Sequence, residues 1–346
     1  MIFFAINLFV VYQIKRGALE MLKISFLGAG YMSRVHNRNL KKIDGVKVVS
    51  VCDVSIDKAR NFAAENCSQE AKAYSDFNEM IDIEKPDAVI ICIPSYSHCG
   101  QLEYAASKGV NIFIEKPIAL DIKKAESMVE AINKYKVISQ VGFHFRFGLA
   151  VSKVKSLIDE GKAGNVSLFD GRYECNSLHS DWWRDVSKSG GQIIEQAIHT
   201  YDTARYLFGE AESINAFMDN ICHKHVDNYT AEDTSAAIIK FRNGSLASIC
   251  ASNCAIPGQW NNSFVVICEK ITAYFKNPCE AEIFYTSLNE VKKETIIDET
   301  DLYYQEIQHF ISCIKSGKKT LCPIEEGYET LKLVYSAFES CKYNQK

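Results

Sequence analysis

The stretch Leu22-Lys23-Ile24-Ser25-Phe26-Leu27-Gly28-Ala29-Gly30-Tyr31-Met32-Ser33 passes from an apolar run through two glycines into a segment with helical spacing. A short apolar run without polar alternation predicts a strand buried on both faces, as in a parallel sheet. Gly28 and Gly30 permit a tight turn, and the helix expected from Tyr31 and Met32 onward points its unpaired N–H groups back at that turn. Ser33 stands where a third glycine is usual, and is still small enough for the helix to pack close to the strand. Further apolar runs follow at 46–52, 88–93, 110–114 and 137–141, separated by amphipathic segments at 31–42, 57–65, 97–108 and 121–136. This alternation predicts an α/β domain with a doubly wound parallel sheet over residues 21–145.

Asp53 lies 23 residues after Gly30, at the end of the second apolar run. Strand, glycine turn, helix and a distant acidic residue together predict a dinucleotide site, with pyrophosphate on the helix N-terminus and ribose hydroxyls on the Asp53 carboxylate. That carboxylate repels a 2'-phosphate and is followed by Val54 rather than Arg, so NAD is expected over NADP.

The 346 residues exceed one ordinary hydrophobic core and predict two domains. Beyond about residue 146 the texture changes. One helix is expected at 151–161 and another at 191–208, among several strands. Arg242-Asn243-Gly244 between 235–241 and 245–251 predicts a hairpin. Helices at 303–315 and 325–342 close the chain. The second domain, 146–346, is therefore expected to be α+β: a largely antiparallel open sheet flanked by helices, carrying the substrate site.

With 47% apolar and 24% charged residues the composition is that of a globular protein, and a net charge of −4 gives no basic footprint for nucleic acid. Thirteen dispersed cysteines without a Cys-x-x-Cys pair read as reduced thiols in a cytoplasmic protein. The apolar segment 2–14 is too short to span a membrane and lacks the features of a signal peptide. Residues 1–20 are expected to be an extension outside the fold, with translation starting at Met21.

Glu115-Lys116-Pro117 ends a buried strand at the carboxyl edge, where doubly wound sheets bind ligands. Glu115 is a ready ion-pair partner for Lys116. Glu195, His199 and Asp202 fall at i, i+4 and i+7, one stripe of a helix, where a carboxylate one turn from an imidazole can hold its tautomer and raise its basicity.

With these motifs the chain resembles the Gfo/Idh/MocA family, the glucose-fructose oxidoreductase and inositol dehydrogenase group. The resemblance extends through Pro94 with His98, Gly142-Phe143 to Arg146-Phe147, Trp183-Arg184, Gly190-Gly191 and Glu232-Asp233-Thr234. It implies an NAD-dependent dehydrogenase acting on a CH–OH group of a sugar or polyol, with Lys116 bridging cofactor and substrate and His199 taking the substrate proton. Glu195 stands where many members carry Asp, and its role is open between orienting His199 and touching substrate. Pro94, His98, Glu115 and Arg184 are implied at the cofactor, and Arg146 and Trp183 at the substrate. A homodimer or homotetramer follows by the same analogy. Two other functions remain in view: a redox-neutral, glycosidase-like reaction on bound NAD, and a non-catalytic sugar or nucleotide sensor.

Cys222-His223-Lys224-His225, with Cys250 and Cys254 further on, gathers potential metal ligands, but the spacing matches no structural zinc pattern. A solvated loop without metal is expected there. No membrane or nucleic-acid partner is expected.

Overall fold

A computed structural model describes residues 21–67, 70–287 and 290–344, and side chains as far as residue 341. The expected extension at 1–20 lies outside the described residues. The chain divides into two compact units, the first ending at Cys92 and the second beginning at Ile93.

The strands β1 (Leu22–Leu27), β2 (Val46–Cys52), β3 (Lys72–Tyr74), β4 (Ala88–Ile91), β5 (Asn111–Ile114) and β6 (Ser139–Val141) form a six-stranded sheet in the order β3-β2-β1-β4-β5-β6. The pairings of β1 with β2 and β4, β2 with β3, and β5 with β6 are parallel. This is the Rossmann order, with its switch point between β1 and β4, beside the glycine turn. The continuous burial of β4 explains its unbroken apolar sequence. The edge strand β3 and the helix Phe77–Glu84 were not foreseen. β3 has three half-exposed or exposed residues and carries almost no apolar signal.

The expected domain boundary at 145/146 and the compact-unit boundary at 92/93 differ for a physical reason. β6 is knitted to the C-terminal segment: the Val141 N–H donates to the Cys322 carbonyl (2.7 Å), Thr320 Oγ1 to the Ser139 carbonyl (2.6 Å), and Gln140 Nε2 to the Glu306 carbonyl (2.7 Å). The Tyr335 hydroxyl, on the helix Ile324–Asn344, donates to the Leu120 carbonyl.

The second sheet comprises β7 (Val166–Glu174), β8 (Ala211–Asp219), β9 (Thr234–Phe241), β10 (Leu246–Ser252), β11 (Phe264–Cys268), β12 (Ile271–Asn277), β13 (Glu280–Tyr285) and β14 (Lys292–Ile297). Their order is β14-β13-β12-β11-β7-β10-β9-β8, antiparallel except for β7 with β10. β9 and β10 are the expected hairpin, with Gly244 at φ 89° in its turn. β9 alternates buried and exposed residues along its length, which is why a period of two was readable there. Among the described residues no helix is long and apolar enough to cross a membrane.

Candidate active site

In the first unit, Gly28 follows β1 at φ 98°, a conformation that strains any residue with a Cβ. Its N–H donates to the Cys52 carbonyl at 2.7 Å, closing the turn onto β2. A Cβ on Gly30 would meet nothing within 4 Å, so the backbone here faces open space. The helix Tyr31–Leu40 starts with no side-chain cap and no acidic residue in its first turn. Its N–H groups and dipole are therefore available to an anion, and the turn fits a pyrophosphate. Tyr31 is exposed and Met32 half-buried. Ser33 is fully buried and its hydroxyl donates to the Gly28 carbonyl at 2.6 Å, so the departure from glycine braces the turn.

Asp53 accepts the Ala29 N–H on Oδ2 and the Ser55 N–H on Oδ1, both at 3.0 Å. Each carboxylate oxygen keeps a further lone pair for a ribose hydroxyl. Val54 is 97% exposed, and Arg60 is held by Asp57 at 3.4 Å on the surface. Neither offers a buried cation to a 2'-phosphate.

In the second unit, Lys116 ends the β5 segment with Nζ fixed between the Glu195 carbonyl (2.5 Å) and Glu195 Oε1 (3.2 Å). The ion-pair partner is thus Glu195 and not Glu115, whose carboxylate instead accepts the Lys116 backbone N–H at 3.3 Å. Glu195 Oε2 accepts from Trp183 Nε1 (2.7 Å) and Gln196 Nε2 (2.5 Å), and Gln196 Oε1 accepts from the Tyr173 hydroxyl (2.7 Å). Lys116 and Glu195 are only 13% and 12% exposed. Removing either partner leaves a largely desolvated charge, at a cost of about 3–5 kcal/mol for a fully buried pair and less here.

The expected single helical stripe is corrected. Ile193–Ala197 is a π-helical turn, continued by the α-helix Ile198–Phe208. The wider turn rotates Glu195 away from the position that four-residue spacing gives it relative to His199. Two features start this turn: Gly190 and Gly191 at φ 80° and 97°, and the buried Glu232, whose Oε1 accepts the Ile193 N–H at 2.7 Å. A Cβ on Gly191 would lie 2.1 Å from Glu232 Oε2, so only glycine fits. Burial pushes the Glu232 carboxyl up to about 7.

His199 is 3% exposed, stacked on Phe145 (4.9 Å between centroids) and edge-on to His144 (4.4 Å) and Phe143 (6.2 Å). Among the described residues its Nδ1 has no hydrogen-bond partner. The basicity expected to rise falls instead. Burial first, then His144 and the Lys116 ammonium, hold the imidazole well below its ordinary pKa, hence neutral.

Arg146 is 2% exposed and forms a fork with Asp202, at 2.8 and 2.7 Å, plus a bond to Glu326 at 2.8 Å. This gives both Arg146 and Asp202 a buried structural task in place of the substrate contact and the helical stripe expected of them. Trp183 is buried and reaches the site through Glu195. Arg184 holds the Leu178 and His179 carbonyls at 2.8 and 3.1 Å. Pro94 precedes the short turn Ser95–Ser97, whose Ser95 hydroxyl donates to the Pro117 carbonyl at 3.0 Å. His98 is buried, its carbonyl accepts from Lys124, and its ring is held neutral, down to about 4, by burial and by Lys124.

Sequence reasoning missed His144, Tyr173, Gln196 and His179. His144 sits inside the quoted 142–147 segment, and its tilted stacking on Tyr303 at 4.5 Å has no local signal. His179, at φ 53°, lies 4.2 Å from the Trp183 ring.

Residues 22–143 match the oxidoreductase family with an NAD-binding Rossmann fold, and 151–274 match the GFO/IDH/MocA C-terminal domain. The chain is 27% identical over 325 residues to myo-inositol 2-dehydrogenase of Thermotoga maritima, covering 92% of this chain and 96% of that protein. It is 28% identical over 305 residues to scyllo-inositol 2-dehydrogenase (NAD(+)) of Bacillus subtilis, covering 86% and 88%. Its fold matches that of levoglucosan dehydrogenase in complex with NADH and L-sorbose, with a TM-score of 0.86 at 20% identity, over 94% of this chain and 97% of that one. On its two matched segments, the chain belongs to the Gfo/Idh/MocA family of NAD-binding oxidoreductases.

Proposed function

We propose that the protein is an NAD-dependent dehydrogenase that oxidises a CH–OH group of a sugar, a polyol or a sugar derivative. The observation that carries this reading is the Lys116–Glu195 pair beside a buried, neutral His199. Bound NAD supplies the hydride acceptor. The residues of the chain do the rest. His199, neutral when substrate arrives, accepts the hydroxyl proton on a ring nitrogen. The Lys116 ammonium, aimed by Glu195, donates to the substrate oxygen and stabilises it as negative charge develops. Trp183 and Gln196 hold the Glu195 carboxylate in place, and Tyr173 holds Gln196. The named activities of the inositol dehydrogenase relatives support a polyol or cyclic sugar as substrate. We assign the nucleotide to residues 21–145 and the substrate to 146–346.

A homodimer or homotetramer in the cytoplasm fits this reading. The exposed Phe217, Ile238 and Tyr274 on the second sheet give apolar area to a symmetric contact, and gel filtration with light scattering reads the mass.

The test is NADH formation, followed by absorbance, across a panel of inositols, aldoses and glycosides, with Lys116→Ala in parallel. Net NADH in proportion to substrate, in the intact chain only, supports the dehydrogenase. Glycoside cleavage without net NADH, or no turnover with NAD still bound, overturns it in favour of the redox-neutral or sensing alternatives.

A further inference from the structure

We propose that Cys222, His223, Asp233 and Cys254 form a binding site for a thiophilic divalent cation, zinc being the best fit, at one end of the second sheet. Spacing along the chain hides this set because its members come from three strand ends. β8 ends at Asp219 just before Cys222 and His223, β9 begins at Thr234 just after Asp233, and β10 ends at Ser252 just before Cys254. Thr234 pairs across with both Asp219 and Ser252, so antiparallel pairing brings the three ends to one place. The loop that carries Cys222 and His223 is otherwise largely exposed, with His223 buried in it.

Sulfur and oxygen donors of Cys222, Asp233 and Cys254 all lie within 4.8 Å of one another. His223 Nδ1 stands 3.1 Å from Asp233 Oδ2 and 3.9 Å from Cys254 Sγ. Zinc binds thiolate at about 2.3 Å and imidazole or carboxylate at about 2.0–2.2 Å, which sets tetrahedral donors roughly 3.3–3.8 Å apart. Binding requires the donors to close from within 4.8 Å to that spacing, and the exposed Cys222 gives the ion an entry path. Two sulfurs, a nitrogen and an oxygen suit zinc and disfavour magnesium or calcium. Asp233 already shapes the loop, accepting the N–H groups of Ile221 (2.9 Å), Cys222 (2.8 Å) and His223 (2.9 Å). Cys222 and Cys254 are both free thiols.

The site connects to the candidate active site through rings. His223 stacks on Tyr229 at 4.7 Å, and Tyr229 packs against Trp183 at 6.1 Å. Trp183 in turn holds Glu195. An ion here pins the loop that backs Trp183.

The probe is Co²⁺ added to the full chain after chelation and reduction. The expected result is a thiolate-to-cobalt charge-transfer band saturating at one equivalent, bleached by Zn²⁺ and lost in Cys222→Ser and in Cys254→Ser. Circular dichroism of both variants, and their retained NAD binding, separates loss of the site from loss of the fold. No band in the reduced chain overturns the proposal, as does an equal band in the double Cys222→Ser, Cys254→Ser variant. So does recovery of a Cys222–Cys254 disulfide whose reduction leaves cobalt unbound.

Discussion

The glycine turn after β1 and the buried cluster around Lys116 use different parts of the chain. The turn works with backbone: a positive φ at Gly28, an uncapped helix start, and one carboxylate, Asp53, that fastens two loops. The cluster works with side chains from distant segments: Lys116, Trp183 and Gln196 converge on Glu195, Tyr173 holds Gln196, and the His199 ring is packed by His144 and Phe145. A backbone site tolerates loss of one contact by degrees. A side-chain relay with buried charge fails when one member is removed, because its partner is left desolvated and unpaired.

The largest expected effect falls on the cluster. His199→Asn removes the proposed proton acceptor and should lower kcat by about 10²–10⁴-fold, the usual contribution of a positioned base. Steady-state kinetics with the best substrate of the panel measures it. A loss under tenfold would break the comparison by showing that no single side chain in the cluster is essential.

Next is Gly191→Ala. It sets a Cβ 2.1 Å from Glu232 Oε2 at φ 97° and disturbs the π-helical turn that carries Glu195. A destabilisation of about 2–4 kcal/mol is expected, combining backbone strain with overpacking, and thermal denaturation reads it.

Acid should cost stability at the neutral histidines of the second unit, against an opposing gain at Glu232, whose raised carboxyl takes up its proton in the fold from about pH 7 downward. In the unfolded chain His98 and His199 take up protons as pH falls below about 6.5. In the folded chain His98 takes none until about 4, and His199 is also held well below its ordinary value. Stability present above pH 6.5 is therefore lost progressively as pH falls toward 4, by on the order of 3 kcal/mol for His98. Denaturant titrations at stepped pH check this, and His98→Gln, if folded, should flatten the slope.

Asp53→Ala is the smallest. It removes the proposed ribose acceptor and the brace on Ala29, and should weaken NAD binding by about tenfold or more, the value of one hydrogen bond to a charged group, with kcat at saturating NAD nearly unchanged.

The same contrast explains what was legible in the sequence. The Rossmann half announces itself locally: buried parallel strands are unbroken apolar runs, and the turn needs glycine at a fixed place. β1 and β2 were readable to the residue. β3, three residues at an edge, buries too little to leave a pattern. In the second unit Lys116, Glu195 and His199 could be nominated, but not their pairing. Four-residue spacing left Glu195 open between orienting His199 and touching substrate, whereas Glu232, 37 positions on, bonds the start of a π-helical turn from which Glu195 reaches Lys116. Arg146 had the same ambiguity, since a guanidinium fits a substrate or a buried Asp equally until the fold places Asp202 beside it.

The most direct test of this account measures the NAD dissociation constant and kcat together for His199→Asn and Asp53→Ala. His199→Asn should bind NAD within about twofold of the unaltered chain and lose turnover by at least about 100-fold, while Asp53→Ala should lose affinity and keep turnover. Loss of NAD binding in His199→Asn, or retained turnover in it, would contradict the assignment of chemistry to the Lys116, Glu195 and His199 cluster.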